Sequence, residues 1–337
     1  MATAIQDSVA IVVIGRNEGD RLKACLHSVL KAANPTTVVY VDSGSVDGSP
    51  DFAASLGCHV VRLDPSTPFS AARARNEGFA CAMQHNPNAE FVQFLDGDCE
   101  LMPDWLTHAV NALNADQSIA IVFGYVYEIK RDASIYNMMV DLEWFKQPAE
   151  VLASGGRFMV RSAVFRAVGG FRPDVIAAED DEFSIRVRAH GGRIFVIAAD
   201  MAGHDVAIYS FAQWWQRARR AGHAYAHVAA LHGHGSERYF IRECRRIWIY
   251  GLILPLLALC LAPFTYGISL LLLLCLYALQ LVHIARQRTR GYRNLREAII
   301  YSYFTVLFKF PALIGLIQYH LRHWRRQPLT IIEYKTN

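Results

Sequence analysis

The sequence predicts an α/β fold, a doubly wound and mostly parallel sheet, followed by apolar C-terminal helices. Three observations carry this reading. Short apolar runs alternate with helix-period segments from Ser8 to Leu113. Polar clusters at Arg16–Glu18, Asp42–Ser45 and Asp96–Asp98 fall where such runs end, and ligands sit beyond the carboxyl ends of strands in sheets of this kind. Beyond Ile247 the chain carries two uncharged stretches, Ile247–Ala262 and Ile268–Ala285, each near the ~20 residues that a bilayer-spanning helix needs.

Ser8–Ile14 (SVAIVVI) is a continuous apolar run, the mark of a strand buried on both faces. Glu18–Ala32 shows helical spacing through Leu22, Cys25, Leu26, Val29 and Leu30. Thr37–Val41 is a second strand, Asp51–Leu56 a helix, Cys58–Leu63 a strand and Ala71–Gln84 a helix. Phe91–Leu95 is a strand and Pro103–Leu113 a helix. Further on, FSIRVRAH from Phe183 reads as a helix that Gly191 and Gly192 terminate. The turn PFTYG folds the two uncharged stretches into a hairpin, and a third stretch, Ile299–Tyr319, is interrupted by Lys309 and Pro311.

The 337 residues suffice for one large domain plus an appendage, and at 53% apolar they are rich for a purely soluble chain. The net charge of +4 hides a split. Residues 1–205 carry 17 Lys and Arg against 26 Asp and Glu, a balance of −9; residues 206–337 carry 17 against 4, a balance of +13. A basic, apolar half suits an anionic membrane surface. Nucleic acid is not the expected partner, because the arginines flank apolar spans instead of forming one uninterrupted patch. The seven cysteines show no CxxC pair, which favours a reducing compartment and free thiols. The start MATAIQDSVAIVVIG has no basic n-region, so no signal peptide is expected.

Two acidic clusters stand out. In FVQFLDGDCE, Asp96 and Asp98 share one side of an extended segment, where two carboxylates repel. A divalent cation removes that conflict; a solvated Asp-Gly turn is the other reading. Glu179, Asp180, Asp181 and Glu182 precede the FSIRVRAH helix. They either complement its dipole or repel one another enough to raise one carboxylate into general-base range. His223 and His227 stand four apart, as zinc-binding histidines on a helix can, but no carboxylate or cysteine completes a site.

The segments VVIGRNE, VDSGSVDGS, ARN at 74–76, LDGD, GGF followed by AEDDEFSIRVR, and QRARR occur in order over residues 9–220. Together they resemble an inverting family-2 glycosyltransferase with the GT-A fold, of the membrane-anchored bacterial type. The resemblance implies that Asn17, Glu18 and Asp42 hold the base and ribose of a nucleotide, and that Arg75 reaches the base or phosphates. Asp96-Gly97-Asp98 matches the family's DXD motif, implying Mg²⁺ or Mn²⁺ between the carboxylates and the donor diphosphate. His204 resembles an extra metal ligand. The base falls at Asp180, with Glu179 beside it and Asp181 as the second choice. Gln216 and Arg219 lie in a segment similar to the QxxRW motif of processive synthases, with Arg220 in place of tryptophan; they would cover the diphosphate and acceptor or lie along the membrane interface. Gly15 stands where the family usually has proline and Ser43 where a second aspartate is common, so the nucleotide base stays open.

The expected protein is thus a metal-dependent inverting glycosyltransferase at the inner membrane, its catalytic domain facing the cytoplasm. It would move sugar from a nucleotide-sugar donor to a lipid-linked or envelope-polysaccharide acceptor, with membrane lipids as partners. The expected divisions are a catalytic domain over 1–210, an amphipathic interface segment over 211–246, a transmembrane hairpin over 247–285, and a basic loop with a membrane-associated helix over 286–337. The alternatives are a nucleotidylyltransferase, which would want a glycine-rich basic loop near residue 15, and a non-catalytic nucleotide-binding membrane protein.

Overall fold

The computed structural model describes residues 8–32, 37–144, 146–287 and 292–327. The chain divides into two compact units, Met1–Arg131 with Trp144–Val206, and Asp132–Glu143 with Ala207–Asn337.

The first unit is built on a sheet of nine strands among the described residues. They are β1 (Val9–Gly15), β2 (Thr37–Asp42), β3 (His59–Arg62), β4 (Phe91–Asp96), β5 (Cys99–Leu101), β6 (Ile119–Glu128), β7 (Ala149–Glu150), β8 (Phe158–Arg161) and β9 (Arg193–His204). Their order is β3-β2-β1-β4-β8-β6-β9-β5, with β7 on β9. Strands β3, β2, β1 and β4 are mutually parallel, as are β6 and β9, and β8 runs antiparallel between the two groups. Six strands therefore share one direction, and the sheet is mixed but mostly parallel.

The first strands end where the apolar runs end, but each goes one step into the polar motif, so Asp42 and Asp96 are the last residues of β2 and β4. The helix expected from Glu18 begins at Asp20, because Gly19 (φ 55°) breaks the helical path. Pro103–Leu113 is helical from Trp105 to Ala115. The helix expected from Phe183 starts earlier, at Glu179, and takes all four acids into its first turn. Strands β5 to β9 are additions that the sequence pattern did not mark.

Packing fixes these elements. The helix Ala71–His85 lies on β1 so closely that a Cβ at Gly78 would collide with Val12. Phe158, Phe165, Phe171 and Phe183 stack behind β8 and carry the helix Glu179–Ala189. The one polar residue inside β4, Gln93, is satisfied: its Oε1 accepts from Trp105 Nε1 at 2.7 Å and its Nε2 donates to Phe94 O at 2.7 Å.

The second unit is helical. Ser210 opens the helix Phe211–His232 with a capping box to Gln213. That helix crosses Lys309–Trp324 backbone to backbone at Gly222 and Gly315, where no side chain would fit. Among the described residues three helices, Ile241–Leu261, Ile268–Arg286 and Leu295–Trp324, are long and apolar enough to cross a membrane. The turn after Leu261 closes on Gly267 in the left-handed conformation. The last of the three is interrupted at Phe308, and Lys309 Nζ donates back to Thr305 O at 2.9 Å.

Candidate active site

The acidic turn forms at the end of β4. Gly97 donates its N–H to Ile14 O at 2.8 Å, and its own position leaves little room, since a Cβ there would lie 3.2 Å from that oxygen. The turn brings Asp98 Oδ1 to 3.0 Å from Nε2 of His204, the last residue of β9. Asp96, Asp98, Cys99 and His204 each offer one donor atom, all within 4.8 Å of one another. Cys99, which sequence reasoning missed as a neighbour of this group, has its thiol pushed well above the usual range, chiefly by burial and further by Asp98 and Asp96, against Arg157. A hard cation prefers oxygen and nitrogen donors to this thiol. Two carboxylates and an imidazole remain, a donor set that suits Mg²⁺ or Mn²⁺.

Two arginines face the same turn. Arg75 is buried; its Nη2 lies 2.9 Å from Asp96 Oδ1 and its Nη1 2.7 Å from Glu179 Oε1. Gly156 makes this possible, because a Cβ there would sit 2.5 Å from Nη2. Arg157 reaches Asp96 Oδ2 at 3.5 Å and lies over the Trp144 ring at 4.8 Å, while that ring packs edge-on against His204 at 4.5 Å. Arg157 is the second residue that sequence reasoning missed; the Gly155-Gly156 pair just before it was the available signal. Asp96 and Glu179 are thus paired with guanidiniums, while Asp98 faces His204.

The four acids of the Glu179–Ala189 helix separate by environment. Glu182 is fully buried and pairs with Arg186 at 2.6 Å, which makes it structural. Glu179 pairs with Arg75. Asp180 is pushed up to about 7, first by burial and then by Asp181 and Glu179, with Arg75 opposing. The helix enters through Ala178 in the left-handed region (φ 56°), a strained conformation for a residue with a Cβ. Gly155 packs against the Asp180 carboxylate, 3.9 Å from Oδ2 for a Cβ placed there.

At the ends of β1 and β2, Asn17, Glu18 and Asp42 come together in one loop pair. Asn17 (φ 53°) donates its N–H to Ser45 Oγ at 2.8 Å, and its Oδ1 accepts from Val46 N at 2.8 Å. Asp42 accepts from Tyr40 OH at 3.1 Å, Gly44 N at 3.0 Å and Ser45 N at 2.9 Å. That uses three of its roughly four acceptor positions and leaves one. Glu18 pairs with Arg21 at 2.7 Å. Gln216 and Arg219 belong to the second unit, where Arg219 bonds Gln318 at 2.9 Å and Gln216 at 3.2 Å.

Comparison with known proteins places these elements. Residues 10–169 match the family model described as glycosyl transferase family 2. Glycosyltransferase AglE of Haloferax volcanii is 24% identical over 209 residues, which span 58% of this chain and 66% of AglE, just under two thirds. The mannosyltransferase PcManGT from Pyrobaculum calidifontis, solved in complex with GDP-Man and Mn²⁺, superposes with a TM-score of 0.61 at 20% identity, covering 92% of this chain and 87% of that one. Residues 1–349 of TarS from S. aureus superpose with a TM-score of 0.50 at 17% identity, covering 89% and 90%. The matched residues include Ala10–Gly15 of β1, β2, β4 and the acidic turn; residues 10–169 are thus similar to glycosyl transferase family 2, and the mixed, mostly parallel α/β sheet is the fold of the GT-A neighbours.

Proposed function

We propose that the chain transfers a sugar from a nucleotide-sugar donor to an acceptor hydroxyl with inversion at the anomeric carbon. The observation that supports this most is the chain Glu179–Arg75–Asp96, which ties the helix bearing Asp180 to the acidic turn. A base and a diphosphate site are then held in one frame.

In this reading Asp180 takes the proton of the acceptor hydroxyl as that oxygen attacks the anomeric carbon from the side opposite the diphosphate. A carboxylate raised toward 7 is well matched to that role. Asp96, Asp98 and His204 would hold Mg²⁺ or Mn²⁺, and the ion, when bound, offsets the charge that builds on the departing nucleoside diphosphate. Arg75 and Arg157 are the guanidiniums placed to pair with phosphate oxygens. Asn17, Glu18 and the remaining acceptor position of Asp42 serve the base and ribose. The three apolar helices suggest membrane association. An inner-membrane anchor, with the catalytic unit on the cytoplasmic side where nucleotide sugars are, favours a lipid-linked or envelope-polysaccharide acceptor.

Thermal stabilisation of the purified chain by UDP-, GDP- and CMP-sugars, with and without Mn²⁺, tests the reading. One nucleotide class should stabilise the protein, and only with the cation. Stabilisation by none of them would contradict it.

A further inference from the structure

We propose that Glu128 is a positioning residue for His204, acting through the backbone of residues 204–206; this rests on the metal site proposed above. Glu128 is the last residue of β6 and lies opposite His204 on β9. It is only 3% exposed, at the end of the apolar run IAIVFGYVYE, where an ionisable side chain is costly to bury unless it is well bonded.

Its bonds explain the placement. Oε2 accepts from Val206 N at 3.0 Å and Oε1 from Lys130 N at 3.0 Å. Between these two, Ile129 donates its N–H to His204 O at 2.9 Å. On the other side, Asp205 donates its N–H to Asp98 O at 2.9 Å, and its Oδ2 pairs with Lys130 Nζ at 2.7 Å. The segment that carries His204 is therefore fastened to β6 before and after the histidine, and to the acidic turn directly behind it. With Trp144 packed edge-on against the ring, the imidazole is left pointing Nε2 at Asp98. One carboxylate bridges the two loops that this arrangement depends on. Groups that orient a metal ligand in this way typically account for about 10–100-fold in metal affinity.

The test uses the full-length chain in detergent and Mn²⁺ alone as the probe, with free Mn²⁺ read by electron paramagnetic resonance. Glu128→Ala should weaken Mn²⁺ binding by about 10–100-fold. Glu128→Gln keeps the volume and one acceptor, and should fall between that variant and the wild type; it also carries the test should the alanine variant fail to fold. In a His204→Ala background neither change should weaken Mn²⁺ binding further, because no ligand is left to position. Wild-type Mn²⁺ binding by both Glu128 variants, with His204→Ala weakened, would overturn the positioning role. Additive losses in the double variants would overturn it too, since a general structural effect adds. If His204→Ala and Asp98→Asn both bind Mn²⁺ like the wild type, the metal site itself is refuted, and this role with it.

Discussion

Arg75 holds Asp96: its Nη2 lies 2.9 Å from the aspartate Oδ1, and the arginine is 3% exposed. Its other nitrogen bonds Glu179, so a single guanidinium links the end of β4 to the helix that bears Asp180. Burial works against the arginine's charge, and Asp96 and Glu179 more than restore it.

Removing that cation leaves two carboxylates short of their partner. Arg75→Met should destabilise the first unit by about 3–5 kcal/mol, the usual cost of breaking a buried pair from one side. Arg75→Lys keeps the charge but not the fork that reaches both acids, and should cost less. Denaturant unfolding checks both; a methionine variant as stable as the wild type would show that the link carries no structural energy.

The acidic turn should govern cation-dependent binding. Asp96→Asn or Asp98→Asn should weaken Mn²⁺-dependent binding of the nucleoside diphosphate by about tenfold or more, in line with losing one of few hard oxygen ligands. Titration calorimetry with and without Mn²⁺ measures this. Unchanged, metal-independent binding in both variants would return the DGD segment to the status of a turn.

Much of this site was legible in the sequence because it sits at the ends of parallel strands, whose continuous apolar runs are easy to see. Asp42 and Asp96 were found that way. His204 was named only by resemblance, since β9 alternates burial too irregularly to read as a buried run. Arg157 and Glu128 were missed for a different reason. Their roles depend on antiparallel β8 and on the pairing of β6 with β9, which are contacts between distant segments that no local period records. The acids at 179–182 were visible as a cluster, but only burial and the partners Arg75 and Arg186 separate the structural Glu182 from Asp180.

The raised Asp180 carboxyl has a signed consequence for stability. Its folded pKa of about 7 exceeds the unfolded value near 3.8, so its favourable contribution is fully present below pH ~4 and lost as pH rises through about 7. Asp180→Asn cannot ionise and should therefore melt higher than the wild type at pH 8, with the gap closing at pH 4. The wild-type transfer rate should rise with pH through about 7 as the base ionises. Melting curves at both pH values test the first point; an asparagine variant less stable than the wild type at pH 8 would contradict it.

Topology is testable at the turn between the first two apolar helices. Tyr266 is 97% exposed there, and Phe308 breaks the last apolar helix just before Lys309. A third full crossing would set Lys309 in lipid, at up to ~3 kcal/mol. In a cysteine-free background, Tyr266→Cys should be labelled from outside intact cells and Arg326→Cys only after permeabilisation. External labelling of Arg326→Cys would mean three crossings.

The most direct measurement is single-turnover transfer, with the donor identified by the stabilisation screen, for Asp180→Asn, Asp181→Asn and Glu179→Gln beside donor binding. Asp180→Asn should lose about 10²–10⁴-fold in rate and keep donor affinity, because the acid acts on the acceptor. Glu179→Gln should fall between, through its bond to Arg75, and Asp181→Asn should lose least. A dead Asp181→Asn with an active Asp180→Asn, or normal transfer by all three, would contradict the assignment of Asp180 as the base.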